Sequence, residues 1–225
     1  MLRPTLCIVV AVVFCPSAFA QKLASEPTNI NPKLPNVLLI GDSISIGYTN
    51  PVRKKLSGVA NVFRPNTNCG PTTKGITEID KWLGDRKWSV IHFNHGLHDL
   101  KYLGSNNENL ADPKDLKSHQ QVPPTDYEAN LKKIAKRLKQ TGAVVIWCET
   151  TPVPQGAKGR VVGDSKKYND IAARVMKEVG EIQTNPLWHV ATKRIPTRPA
   201  NVHYTAEGSD KLADQVVSII KKNLP

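Results

Sequence analysis

The stretch VLLIGDSISIGY, residues 37–48, decides how the chain is read. Val37–Ile40 is a short, wholly apolar run, the pattern of a strand buried on both faces. Gly41 permits a tight turn after it, and Asp42 can accept hydrogen bonds from turn amides. Ser43 then stands at the mouth of a helix, where free peptide N–H groups stabilise negative charge. In doubly wound sheets, ligands bind beyond the carboxyl ends of the strands. Ser43 is therefore a candidate nucleophile; the competing reading is that Ser43 or Ser45 merely caps the helix.

The same rhythm continues outward. Further strands are expected at Ala60–Phe63, Val90–Phe93, Ala143–Trp147 and, more weakly, Glu181–Thr184. Helices are expected between them. After Pro123-Pro124, Thr125 and Glu128 have the spacing of a capping box. Tyr127, Leu131, Ile134 and Leu138 then share one face, and Gly142 sits where a left-handed residue is wanted. Ser165–Val179 and Thr205–Leu224 are amphipathic helices, and Ile76–Leu83 a weaker one. Short strands alternating with helices predict an α/β domain with a parallel sheet between two helical layers. The polar segment 101–124 breaks the rhythm and reads as a lid or binding loop.

Residues 1–20, MLRPTLCIVVAVVFCPSAFA, have a basic start, an apolar centre and an Ala18-Phe19-Ala20 ending. This is the pattern of a secretory signal peptide, with an N-terminal arm at 21–35 and one domain at 36–225. Its apolar run is too short for a bilayer, so stable membrane insertion is not expected. A secreted or periplasmic location follows. Cleavage would leave Cys69 and Cys148, which either pair or remain buried thiols. The formal net charge of +12 would become +11, with 30 basic against 19 acidic residues. Such a charge favours anionic surroundings, acidic polysaccharide among them. Nucleic acid is not expected, because no dense basic run interleaves with aromatics; the lysines of KKIAKRLK (132–139) belong to a solvated helix face.

A serine nucleophile needs a base. His203, in NVHYTAEG directly before the last helix, would lie at the same sheet edge as Ser43. His92, His95, His98 and Asp99 are metal-ligating types close together, yet residues three apart on a strand face opposite sides, so no metal is expected. Trp82, Trp88, Trp147 and Trp188 read as core rather than sugar platform, with Trp147 a candidate for the pocket border.

Four blocks in order carry a family resemblance. GDSIS (41–45), NCGPTT (68–73), NHGLHD (94–99) and NVHYTAEG (201–208) resemble the blocks of the SGNH, or GDSL-type, hydrolases. The resemblance spans residue 36 to the C-terminus. It implies a flavodoxin-like three-layer α/β/α sandwich around a five-stranded parallel sheet. It also implies Ser43 as nucleophile, His203 as base and Gly70 as a backbone oxyanion donor beside the Ser43 amide. Two positions depart from the pattern. His98 replaces the usual asparagine of the third block; a neutral imidazole still has one N–H to offer the oxyanion. Ala200 replaces the aspartate three residues before the histidine. Asn201, a main-chain carbonyl, or Asp99, Glu149 or Glu207 brought near in space is then left to orient the ring, giving a Ser-His dyad or atypical triad. Asp42, Asp99 and Asn201 are the supporting residues.

The function these residues imply is an exported serine esterase that removes acyl groups, acetyl above all, from carbohydrate without metal or cofactor. Its substrate is a small-molecule or polysaccharide ester, anionic ones included. The alternatives are a lysophospholipase- or thioesterase-like acylhydrolase and a catalytically lapsed domain that binds glycan.

Overall fold

The computed structural model describes residues 27, 29–193 and 195–225. The expected leader (1–20) and the first part of the expected arm (21–26) lie outside the described residues. The end of the arm is bonded to the domain: Asn61 Nδ2 donates to the carbonyls of Asn31 and Leu34, and Asn31 N–H donates to Asn61 Oδ1 at 2.9 Å.

Seven strands and six helices follow in the described residues: β1 (Asn36–Ile40), α1 (Ser43–Lys55), β2 (Asn61–Phe63), α2 (Thr72–Leu83), β3 (Val90–Phe93), β4 (Tyr102–Leu103), β5 (His119–Gln120), α3 (Pro124–Lys139), β6 (Val144–Cys148), α4 (Asp164–Gly180), β7 (Gln183–Asn185), α5 (Leu187–Ala191) and α6 (Ala206–Lys221). Five strands form one parallel sheet in the order β2-β1-β3-β6-β7. This is a flavodoxin-like order, and its switch point lies between β1 and β3. Helices α1, α5 and α6 pack together, as do α2, α3 and α4, and the sheet lies between the two groups. The apolar runs that predicted strands are its core: Val37, Leu39, Ile40, Val90, Ile91, Phe93 and Ile146 are fully buried.

Four local differences separate the structure from the sequence reading, and the first two have clear physical causes. The Thr125–Glu128 capping box does not form. Pro124 already occupies the first helical position of α3, where its missing N–H costs nothing, so Thr125 falls inside the helix and Glu128 pairs with Arg174 instead. Helix α2 begins at Thr72 rather than Ile76, because Asp99 caps it from across the fold: Oδ1 accepts Thr72 N–H at 2.7 Å and Thr72 Oγ1 at 2.6 Å. The segment 101–124 contains an antiparallel ribbon, β4 against β5, that the sequence pattern did not announce. The short helix α5 was also missed.

Cys69 and Cys148 are buried free thiols. Trp147 is not a pocket border: it is fully buried and packs edge-on against Phe93, with ring centroids 5.2 Å apart. No helix among the described residues is long and apolar enough to cross a membrane.

Candidate active site

Ser43 follows β1 as the first residue of α1. The cap of that helix is Asp42, whose buried carboxylate accepts Ile44 N–H at 2.9 Å. Ser45 is also committed, donating its hydroxyl to the Asp42 carbonyl at 2.8 Å. Neither serine is the cap, and the Ser43 hydroxyl is left for another partner. A Cβ on Gly41 would stand 2.9 Å from Ser45 Cβ, so the turn that presents Ser43 needs glycine for close approach.

That partner is His203. Its Nε2 lies 2.8 Å from Ser43 Oγ, across 160 positions of sequence. The imidazole is mounted on a stapled loop. Arg198 N–H donates to the His203 carbonyl at 3.0 Å, Thr197 bridges Tyr204, and Thr205 caps α6 by accepting Gly208 N–H. On the far side of the ring, Asn201 Oδ1 lies 2.7 Å from Nδ1 and also accepts the His203 backbone N–H at 3.0 Å. Asn201 carries no ionisable group, so its oxygen is an acceptor and Nδ1 bears the hydrogen; Nε2 is then free to receive a proton.

None of the carboxylates weighed for this position reaches it. Asp99 is bonded to Thr72, Glu149 accepts Trp188 N–H at 3.1 Å, and Glu207 pairs with Lys211. Ala200, at the aspartate position, has φ +49°. Burial is the main cause that lowers the His203 pKa below the ordinary histidine value; Arg198 and Arg160 add to it and Asp42 opposes it. The imidazole is therefore neutral at pH 7.

His98 lines the same cleft as Ser43 and His203. Burial lowers its pKa to about 4, so it is a neutral imidazole with one N–H. The Ser43 amide, in the first turn of α1, is one of those the helical ladder leaves unpaired. Gly70, expected as a backbone donor, has a competing partner. Its N–H already donates to Asn68 Oδ1 at 2.9 Å and would have to be shared to meet a substrate oxygen. Asn68 itself lines the cleft. Asp99 is fully buried, and burial raises its carboxyl pKa to about 7. The three clustered histidines part company: His92 lies 3.0 Å from Asn185 Nδ2, His95 lies 3.0 Å from the Gly70 carbonyl, and only His98 borders the cleft. Burial pushes the Cys69 thiol up to about 11, so beside Ser43 it is a poor nucleophile.

Several residues at the site went unnoticed in the sequence. Arg64, almost wholly buried, follows β2 as Ser43 follows β1. Its guanidinium donates to the carbonyls of Gly41, Pro65 and Thr67 and to Ser45 Oγ, each within 3.0 Å, tying the Ser43 turn to the loop before α2. Lys101, Lys158 and Arg160 line the cleft, whose volume is about 330 Å³ and whose lining includes no Phe, Tyr or Trp. The signal that would have found them is position, since each lies beyond the carboxyl end of a sheet strand.

The sequence matches no family model and no curated protein. Solved structures do match. The five-stranded fold is shared with solved esterases, lipases and acylhydrolases, a GDSL-like lipase among them. Among them, the acetyl xylan esterase AlAXEase is 13% identical, with a TM-score of 0.65 over 82% of this chain and 99% of its own. A lipase/acylhydrolase from Enterococcus faecalis is 16% identical, with a TM-score of 0.65 over 85% of this chain and 98% of its own. A GDSL-like lipase from Bacteroides thetaiotaomicron is 15% identical, with a TM-score of 0.59 over 84% and 89%.

Proposed function

We propose that the protein is an exported serine esterase that removes short acyl groups, acetyl above all, from carbohydrate. The observation that carries this reading is the 2.8 Å hydrogen bond between Ser43 Oγ and His203 Nε2, with Asn201 Oδ1 against Nδ1. Ser43 Oγ attacks the acyl carbonyl carbon while His203 Nε2 takes the hydroxyl proton. The carbonyl π electrons move to oxygen, and the oxyanion is met by the Ser43 N–H at the positive end of α1 and by the N–H of His98. The Gly70 N–H contributes only by sharing its bond to Asn68. The Asn201 amide oxygen fixes the tautomer and accepts the Nδ1–H of the imidazolium, with a dipole where triads have a full charge. His203 then protonates the leaving alcohol. A water molecule, deprotonated by the same nitrogen, releases the acid and regenerates Ser43.

The cleft supports a short acyl chain and a polar alcohol. Its lining is dominated by polar and charged side chains, with only Leu110, Ala157, Ala200 and Val202 apolar. A long-chain lipase needs a larger apolar surface to hold its substrate. One structural neighbour is an acetyl xylan esterase, which fits the same reading. The leader-like residues 1–20 support export.

The test is incubation of the purified chain with 4-nitrophenyl acetate and with a serine-reactive phosphonate. Turnover together with a phosphonate adduct on Ser43, both lost in Ser43→Ala, is the expected result. Neither turnover nor adduct, with glycan binding retained, would replace the esterase by a binding module. A preference for long acyl chains would replace the carbohydrate substrate by a lipid-like one.

A further inference from the structure

Lys101, Lys158 and Arg160 come from two separate segments, one opening the 101–124 loop and the other following β6. The two segments are joined beside the cleft. Tyr102 N–H donates to the Gly159 carbonyl at 2.8 Å, and Gly159, at φ +64°, lies so close to Leu110 that a Cβ would stand 2.4 Å from its Cα. Only glycine satisfies both the left-handed backbone and that approach. The residues on either side of it, Lys158 and Arg160, are thereby set on the cleft wall with Lys101.

Among the described residues, none of the three takes part in an ion pair, and no carboxylate lines the cleft. Lys101 and Arg160 are half-buried. Arg160 spends its Nε on the Leu97 carbonyl at 3.1 Å. Burial lowers the Lys101 pKa, and repulsion by Arg160 lowers it further. The carboxylates that act on the pair, Asp99 on Lys101 and Asp42 on Arg160, are themselves buried and bonded to Thr72 and Ile44. Half-buried cations without an ion-pair partner are unfavourable until an anion desolvates with them. Solvated surface lysines, such as those of α3, have no such need.

We propose that Lys101, Lys158 and Arg160 form a subsite for an anionic group, carboxylate or sulfate, on the sugar whose ester Ser43 attacks. The proposal rests on the esterase reading and deepens it to acylated acidic carbohydrate. The guanidinium supplies a planar fork and the ammonium groups supply point charges, a combination that suits a planar carboxylate or a tetrahedral sulfate beside the scissile ester.

The experiment is calorimetric binding of unacylated oligosaccharides of equal length: an oligogalacturonate, a sulfated oligosaccharide and a neutral xylo-oligosaccharide. Each is measured at low and high salt, with melting curves recorded for every variant. The expected result is anionic binding at least about tenfold tighter than neutral binding and weakened by salt. Lys101→Gln and Lys158→Gln each lose that preference, whereas Lys133→Gln, an equal charge change on an exposed face of α3, retains it. Lys158 is exposed and has no ion pair, so its variant tests the subsite even where Lys101→Gln fails to fold. The tighter of the two anionic arms identifies uronate or sulfated sugar. Equal binding of neutral and anionic chains, or an equal loss in Lys133→Gln, overturns the subsite. Hydrolysis plays no part in this measurement, so the phosphonate experiment stands or falls separately.

Discussion

Asn201 Oδ1 lies 2.7 Å from His203 Nδ1, where a charged carboxylate would stand in a complete Ser-His-Asp triad. An amide oxygen orients the imidazole but stabilises its cation less than a carboxylate does. Asn201→Ala is expected to reduce kcat about tenfold to a hundredfold with little change in KM, because the ring loses its tautomer constraint. Steady-state kinetics on 4-nitrophenyl acetate checks this.

The same pair sets the pH dependence. As the proposed base, His203 must be neutral, and its pKa is lowered chiefly by burial, with Arg198 and Arg160 adding to it and Asp42 opposing. Activity is therefore present above that pKa and lost as pH falls through it, so the acid limb of kcat/KM lies below 6.5. Asn201→Asp adds a negative charge against Nδ1 and favours the protonated ring. The limb should move up by about one pH unit or more. An unchanged limb would mean that another group governs it.

His98 offers a separable effect. An oxyanion donor, the role proposed for it, acts mainly in the transition state, so His98→Ala should lower kcat and kcat/KM together, by about 10²–10³. Its pKa of about 4 keeps it neutral across the working range, so the acid limb set by His203 should remain in place. A fall confined to 1/KM would assign His98 to substrate binding instead.

Asp99 makes a prediction about stability. Its folded pKa of about 7 exceeds the ordinary value of 3.8, because burial outweighs its bonds from Thr72. The folded state then binds the proton more tightly than the unfolded chain does. Stability from this group declines as pH rises between about 4 and about 7 and levels off above that window. Asp99→Asn keeps an oxygen for the Thr72 N–H and removes the titration. Its stability relative to the native chain should rise with pH across the window, as read from denaturation midpoints.

Arg64 ties the Ser43 turn to the loop before α2 through four acceptors. Arg64→Met removes all four bonds, leaving the Gly41 carbonyl only its Cys69 N–H and Ser45 Oγ only its bond to Asp42. A loss of about 3 kcal/mol is expected in chemical denaturation. Phosphonate labelling of Ser43 should slow even below the unfolding transition.

Much of this architecture is legible before folding, because its signals are local. The apolar runs at 37–40 and 90–93 are strands in the structure, and the other three sheet strands lie within two residues of their expected bounds. Thr205 ends the loop carrying His203 and caps α6 by a bond three residues long. What escaped reading depends on contacts distant in sequence. Asp99 starts α2 from 27 residues away, so no capping residue next to Thr72 announced the true start of that helix. Pro124 pre-empted the Thr125 cap because a fixed φ at the first helical position competes with a side-chain hydrogen bond. Arg64, Lys101 and Arg160 look like ordinary surface charges until the topology brings them to one edge of the sheet.

The reactive pair joins the first helix of the sandwich to the loop before its last. Lys55 near the end of α1 also holds Asp210 and Asp214 of α6 by ion pairs of 3.0 and 2.8 Å. Contacts of such high contact order form late, after a large loop-closure entropy has been overcome. A chain still emerging from synthesis, or clipped ahead of His203, would have its hydroxyl but neither the imidazole nor a complete helical layer. The proposed ester cleavage would therefore serve as an end-point marker of maturation, silent in any form that lacks the C-terminal segment or has not yet docked it.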